Sequence, residues 1–201
     1  MARAPSFCGV ILAAGESSRM GRDKALLPWH GGTFLSAAIA SLQPHTDMVI
    51  VVAGRNAPKL EPLADTVGAF LVVNPHPEQG QFSSLRVGLQ EVLNRGRDAA
   101  IVTLVDRPAA QIATVGLLRD RFLESAPAGI WALVPSFGGR NGHPLVVGRE
   151  MITAFLNAPP TGHAREVEHQ NQAHILYFPV DDPFVTMNVD TPEDYERVAT
   201  G

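Results

Sequence analysis

Five short apolar runs constrain this chain more than any other feature: Phe7 to Ala13, Met48 to Ala53, Ala69 to Val73, Ala99 to Val105 and Ile130 to Val134. Most are nearly continuous in Val, Ile, Leu and Ala, without apolar/polar alternation, so both faces of each run need apolar cover. Strands of that kind belong inside a mostly parallel sheet. Helical patterns lie between them: Phe34, Leu35, Ala38, Ile39 and Leu42 repeat at helical spacing, as do Phe82, Leu85, Leu89, Val92 and Leu93. Strands alternating with amphipathic helices predict an α/β fold, a doubly wound, mostly parallel sheet joined by right-handed crossovers.

From Ser136 to Gln172 the pattern is less regular. The loops GGRNGH and APPTGH surround a strand at Pro144 to Val147 and a helix at Arg149 to Leu156, which reads as a small antiparallel excursion. His174 to Val180 is then a strand, and Asp190-Thr191-Pro192-Glu193 opens a final helix with an acidic cap and Pro in its first turn. The 201 residues suit one domain over 1–201. Asp and Glu number 20 against 16 Lys and Arg, giving a net charge of −4, so no broad basic face is expected for nucleic acid or an acidic membrane. Cys8 is the one cysteine, which excludes an internal disulfide, and no Cys/His array has zinc spacing. The opening MARAPSFCGVILAAG runs into a glycine loop instead of a cleavage site, and no stretch reaches the about 20 apolar residues that span a bilayer. The expected location is cytoplasmic.

The loop after the first run carries the chemistry. It reads Ala14-Gly15-Glu16-Ser17-Ser18-Arg19-Met20-Gly21-Arg22-Asp23-Lys24. In a doubly wound sheet the carboxyl end of the first strand opens into the ligand crevice. Gly15 and Gly21 let the backbone approach a phosphate closely, while Arg19, Arg22 and Lys24 supply positive charge on an acidic protein. Lys occurs only at positions 24 and 59, so a lysine in this loop stands out. The spacing is neither that of a P-loop nor GxGxxG, and Gly15-Glu16-Ser17 is not a nucleophile elbow. Taken singly, these residues also suit a solvated surface loop; the whole string does not.

Asp106 ends the run Ala99 to Val105, at the carboxyl edge of a strand facing the same crevice. A lone Asp there can equally be a turn residue, and Asp190 in Asp-Thr-Pro-Glu can equally be a helix cap. Two carboxylates from distant segments are nevertheless sufficient protein ligation for Mg²⁺, which keeps waters and takes substrate phosphate oxygens. Cys8 reads as a small buried hydrophobe, and His163, His169 and His174 have no metal spacing.

Leu12-Ala13-Ala14-Gly15 through Ser18-Arg19-Met20-Gly21 to Lys24 and Leu26-Leu27-Pro28 resembles the signature loop of the MobA-like nucleotidyltransferases, the family of the molybdenum-cofactor guanylyl- and cytidylyltransferases. Asn74-Pro75 with Gly80, Ser83-Ser84-Leu85-Arg86, Val105-Asp106-Arg107-Pro108, Gly142-His143-Pro144 and Asn188 to Asp194 extend the resemblance over almost the whole chain. It implies a Rossmann-like, GT-A-like nucleotidyltransferase fold, with a nucleotide-binding half about 1–110 and an acceptor-binding half about 111–190. The implied activity is Mg²⁺-dependent transfer of CMP from CTP to molybdenum-molybdopterin with release of pyrophosphate. The Ala13-Ala14-Gly15 opening, Ser-Ser-Leu-Arg and Gly-His-Pro look most like the cytidylyl branch. GTP as donor, a sugar-phosphate acceptor and a silent cofactor carrier stay open beside it, as does a recipient molybdoenzyme or its chaperone as partner.

By the same resemblance Arg19, Lys24 and Asp106 are catalytic, and Leu12, Ala13, Ala14, Gly15, Arg19, Lys24, Asn74, Gly80 and Ser84 bind nucleotide. Gly142 and His143 would contact the acceptor, and Asp106 with Asp190 would hold the metal, Asn188 being the substitute for the latter. The chain departs from the family pattern at Arg107, commonly Gln, and at Gln81, near which a Met is frequent.

Overall fold

The computed structural model describes residues 5–15 and 20–199. In chain order, β1 (Phe7–Leu12) leads through a small hairpin, β2 (Pro28–Trp29) and β3 (Gly32–Thr33), into α1 (Phe34–Leu42) and β4 (Met48–Ala53). Next come α2 (Ala57–Thr66), β5 (Phe70–Val73), α3 (Gln81–Asn94), β6 (Ala99–Leu104) and α4 (Ile112–Ser125). The remainder is β7 (Ala132–Phe137), β8 (Arg140–Asn141), β9 (Leu145–Gly148), α5 (Arg149–Asn157), α6 (Ala164–Gln170), β10 (Ile175–Pro179) and α7 (Pro192–Ala199).

One eight-stranded sheet runs in the order β10-β7-β9-β6-β1-β4-β5, with β8 paired to β7. β1 lies parallel between β4 and β6, with Ile11 opposite Val51 on one side and Thr103 on the other. The antiparallel excursion is real and local: β9 runs against both β6 and β7, and β8 against β7.

The continuous apolar runs follow from cover on both faces. Phe7 and Ile11 of β1 pack on one side with Phe34, Leu35, Ile39 and Leu42 of α1, Leu60 of α2, and Val115, Leu118 and Phe122 of α4. Cys8, Val10 and Leu12 pack on the other with Phe82, Leu85, Leu89 and Val92 of α3, Met151, Ile152 and Phe155 of α5, and Val167 of α6. Each such side chain, fully buried, contributes about 1.5–3 kcal/mol of transfer free energy, which makes the three layers the main source of stability. Gly88 is what lets α3 sit down on β1, because a Cβ there would stand 2.7 Å from Val10 Cγ1. Among the described residues no helix is long and apolar enough to cross a membrane.

Candidate active site

Leaving β1, the chain moves to β4 and β5 on one side of the sheet, whereas β6 lies on the other, so the winding reverses at the β1/β6 boundary. Ligand crevices form at such a reversal, beyond the carboxyl ends of the strands. A cleft of about 300 Å³ opens there. Leu12, Leu104 and Val105 reach it from the strand ends, Ala14 and Gly15 from the first loop, and Gly80, Gln81 and Ser84 from the start of α3. Lys24, Asp106 and Asp190 are its charged groups among the described residues.

Lys24 begins a short 3-10 turn, Lys24–Leu26, capped by Asp23, whose Oδ1 accepts from the Ala25 amide at 3.0 Å. The other oxygen, Asp23 Oδ2, accepts from Asn56 Nδ2 at 2.7 Å, and the same nitrogen donates to the Ala13 carbonyl at 2.8 Å. Asn56 thereby ties the lysine-bearing turn to the end of β1. Sequence reasoning missed it; the available signal was its place in Gly54-Arg55-Asn56, directly after β4 at the crevice edge. Lys24 Nζ donates to Asp190 Oδ1 at 2.9 Å, with the lysine side chain 12% exposed.

Asp190 is released from the capping duty its motif suggests. Thr191 Oγ1 accepts from the Asp194 amide at 3.2 Å, while Asp194 Oδ2 accepts from the amides of Asp190 and Thr191 at 3.1 and 3.0 Å. Those backbone N–H groups hold the Asp194 carboxyl below the usual range. The helix start is thus satisfied by its own first turn, and the Asp190 carboxylate is left for the cleft.

Asp106 stands two residues beyond the end of β6, and its carbonyl accepts from the Val189 amide at 2.8 Å, which clips the segment before α7 beside it. Asp106 Oδ1 is buried and has no hydrogen-bond partner among the described residues. It lies 3.5 Å from Arg107 Nε, itself buried and without a hydrogen-bond partner there; Arg107 Nη1 donates to the Val185 carbonyl at 3.3 Å. Burial draws the Arg107 guanidinium below its ordinary value while Asp106 and Asp190 hold it up. It stays charged at neutral pH, as guanidinium groups in proteins do. The Asp106 side chain as a whole is 34% exposed and lines the cleft, so the carboxylate presents its accessible side to a hard cation while Oδ1 stays turned to Arg107. No group of three or more His, Cys, Asp or Glu able to hold a metal occurs among the described residues; the carboxylates that line the cleft are those of Asp106 and Asp190.

Several expected site residues sit behind the cleft instead of on it. Ala13 is buried, its amide bonded to the Val52 carbonyl. Asn74 is 2% exposed and donates to Ser83 Oγ and Ser84 Oγ at 2.8 and 3.0 Å while accepting from the His76 amide at 2.9 Å. It braces the turn that delivers Gly80 and Ser84. Gly80 has φ 88° and ψ −176°, a conformation only glycine adopts without strain. Neither Gly142 nor His143 lines the cleft. A Cβ at Gly142 would stand 1.9 Å from the Val185 carbonyl oxygen, which gives that glycine a packing reason, and the His143 amide donates to the same carbonyl at 2.8 Å. Burial, followed by the Arg107 charge, pushes the His143 imidazole down to about 3, so it is neutral near pH 7. Arg19, with Glu16 to Ser18, lies outside the described residues.

A doubly wound sheet whose switch-point crevice is lined by a glycine loop, a helix start, a lysine and two carboxylates defines an α/β protein of the nucleotide-handling class. The chain belongs to the family of the MobA-like NTP transferase domain, whose model matches residues 9–175. It is 31% identical to the molybdenum cofactor guanylyltransferase of Xanthomonas euvesicatoria over 96% of this chain and 94% of the relative. With the molybdenum cofactor cytidylyltransferase of Escherichia coli it shares 25% identity over 92% of each. The crystal structure of Rv0371c from Mycobacterium tuberculosis superposes with a TM-score of 0.82 at 28% identity, covering 100% of both chains. That protein has also been solved in complex with manganese.

Proposed function

We propose that this protein transfers CMP from CTP to the terminal phosphate of a molybdopterin carrying molybdenum, with release of pyrophosphate. The observation that carries the reading is the convergence of Lys24, Asp106 and Asp190 on one cleft with the glycine loop and the start of α3. An acceptor phosphate oxygen attacks the α-phosphorus in line; the new P–O bond forms as the bond to the β-phosphate oxygen breaks, and its electron pair leaves on pyrophosphate. The acceptor is anionic at neutral pH and needs no strong base. Positioning and charge neutralisation therefore supply most of the rate.

Lys24, already at the cleft, exchanges Asp190 for a phosphate oxygen and stabilises the departing pyrophosphate; Arg19, five positions earlier in the sequence, is the second cation that the family resemblance assigns to this role. The Gly15 amide and the amides at the start of α3 receive phosphate and sugar oxygens, where a helix N-terminus favours negative charge. Asp106 and Asp190 are the residues to hold Mg²⁺, which when bound would neutralise phosphate charge. His143, neutral and off the cleft, moves no proton in this scheme.

Cytosine is favoured by the Ala13-Ala14-Gly15 opening and the Ser83-Ser84-Leu85-Arg86 segment, which resemble the cytidylyl branch; of the two carboxylates available to the N1 and N2 edge of guanine, Glu78 is exposed and bonded to His76, and Glu16 lies outside the described residues. GTP is the second reading, supported by the guanylyltransferase relative at 31% identity. Pyrophosphate release with each NTP, Mg²⁺ and either molybdenum-molybdopterin or a sugar phosphate decides among these. The expected result is a kcat/KM for CTP about a hundredfold above that for GTP, the scale of discrimination available to buried polar groups left unpaired. Equal or better use of GTP replaces CTP as donor, a sugar phosphate as the better acceptor replaces molybdopterin, and no release with any pair reduces the protein to a nucleotide or cofactor carrier.

A further inference from the structure

Each carboxylate of the cleft has a cation beside it, Lys24 on Asp190 at 2.9 Å and Arg107 on Asp106 at 3.5 Å. Two positive charges against two negative ones cancel formally. The two pairs differ in freedom. Lys24 lines the cleft on a flexible stem and is properly hydrogen-bonded to its carboxylate. Arg107 does not line the cleft: its side chain is 8% exposed, and one end is tied to the Val185 carbonyl.

Moreover, Arg107 Nε and Asp106 Oδ1 both lack a hydrogen bond among the described residues although they face each other as charges. Burying a guanidinium is costly, and an ion pair without a hydrogen bond offsets that cost poorly. The arrangement is therefore weak as a stability device. What it does do is hold a positive charge against the buried oxygen of the Asp106 carboxylate, while the rest of that carboxylate, 34% exposed, faces the cleft where a cation would bind.

We propose that Arg107 is a positioning residue that sets the cation affinity of Asp106, keeping divalent metal binding weak until nucleotide is present. The proposal rests on the reading of this cleft as a metal-dependent nucleotide site. Triphosphate draws Lys24 off Asp190, which frees one carboxylate and makes the local charge strongly negative, whereas Arg107 cannot leave Asp106. Metal and nucleotide then bind together, and metal alone binds poorly. Such coupling prevents a tightly held ion from blocking the cleft between turnovers.

Mn²⁺ binding to the full chain without nucleotide, followed by the EPR signal of the free ion, tests this. Arg107→Gln and Arg107→Met are expected to bind Mn²⁺ at least about tenfold more tightly than the parent, the effect of removing a like charge at contact range in a poorly screened site. Arg107→Lys, which keeps a charge, is expected to stay near the parent. Unchanged or weaker binding in both neutral variants overturns the proposal, and if the acceptor KM rises instead, Arg107 is an acceptor contact. Should both neutral variants fail to fold, the parent decides: a dissociation constant for Mn²⁺ alone weaker than about 100 μM supports the proposal, and a tighter one overturns it. The double variant Asp106→Asn/Arg107→Gln separates the two levels. Loss of the gained affinity keeps Asp106 as the ligand, and full retention of it overturns both the metal reading of Asp106 and the proposal built on it.

Discussion

The two sides of the cleft are built on opposite plans. On the charged side, Asp106, Arg107 and Asp190 hang on bonds between distant segments: Val189 N to the Asp106 carbonyl at 2.8 Å, Arg107 Nη1 to the Val185 carbonyl at 3.3 Å and His143 N to the same oxygen at 2.8 Å. Asp182, fully buried, completes the clamp by accepting from the amides of Gln111 and Phe184 at 2.8 and 3.0 Å. On the opposite side, Gly15 and Gly80 present bare backbone with open space among the described residues where a Cβ would stand, and Gln81 is exposed. The charged side is organised before any ligand arrives, while the glycine side is a backbone surface with room to adapt. A family that uses one phosphate chemistry on different bases needs such a division.

Substitutions break or sharpen this contrast in a graded way. Lys24→Ala is expected to lower turnover at least about a hundredfold, the usual loss for one charge partner of a transition state, with the unfolding curve nearly unchanged. Pyrophosphate release and denaturation read the two quantities; a folded variant within a few fold of the parent removes Lys24 from the chemistry. Asn56→Ala, which unties the Lys24 turn from β1, should lower kcat/KM about tenfold through misplacement of that lysine. The same loss from a global drop in stability would assign Asn56 to the core. Gly80→Ala forces a side chain into φ 88° and should destabilise the protein by about 1 kcal/mol in denaturant titration while raising the KM for nucleotide.

The last effect concerns the pH dependence of stability and leaves turnover near neutrality untouched. The folded imidazole of His143 sits at about 3 against an ordinary 6.5, so the unfolded chain takes up a proton that the folded one refuses. Stability from this group is therefore complete above pH 6.5 and declines as pH falls toward 3. His143→Gln should flatten that part of the acid limb, measured as unfolding free energy between pH 7 and pH 4. An unaltered slope would place the acid sensitivity elsewhere.

β1, β4 and β6 were legible because burial on both faces leaves continuous apolar runs, whereas β5 and β10, the two ends of the sheet, are only partly covered although their runs also looked doubly buried or strand-like; all five stand within a residue or two of where the runs predict. α1, α3, α5 and α7 were legible from spacing or caps. α2 was not: Pro62 stands inside it, and only Leu60 and Ala64 are buried, so its apolar stripe is thin. α4 carries Val115, Leu118 and Phe122 at helical spacing, a signal present but not taken, and α6 buries only Val167. In the site, Lys24, Asp106, Asp190, Gly15 and Gly80 share the cleft that their places after strands and in loops suggested. Asn56 was hidden because it depends on a partner far along the chain, Asp23, whereas Arg107 stood out in the sequence as an extra cation beside Asp106 and only its tie to Val185 was hidden. Asn74 was assigned to the nucleotide by resemblance, which does not say which way a side chain is buried; here it is turned inward onto Ser83 and Ser84.

The most direct test of the account is a crystal structure with Mn²⁺ and a CTP analogue whose α–β bridge cannot be cleaved, with manganese located by its anomalous scattering. The account predicts a manganese peak bonded to the carboxylate of Asp106 and shared with Asp190 and the phosphates, with Lys24 moved from Asp190 onto a phosphate oxygen. A nucleotide bound elsewhere, or manganese held away from Asp106 with the Lys24–Asp190 pair intact, would contradict it.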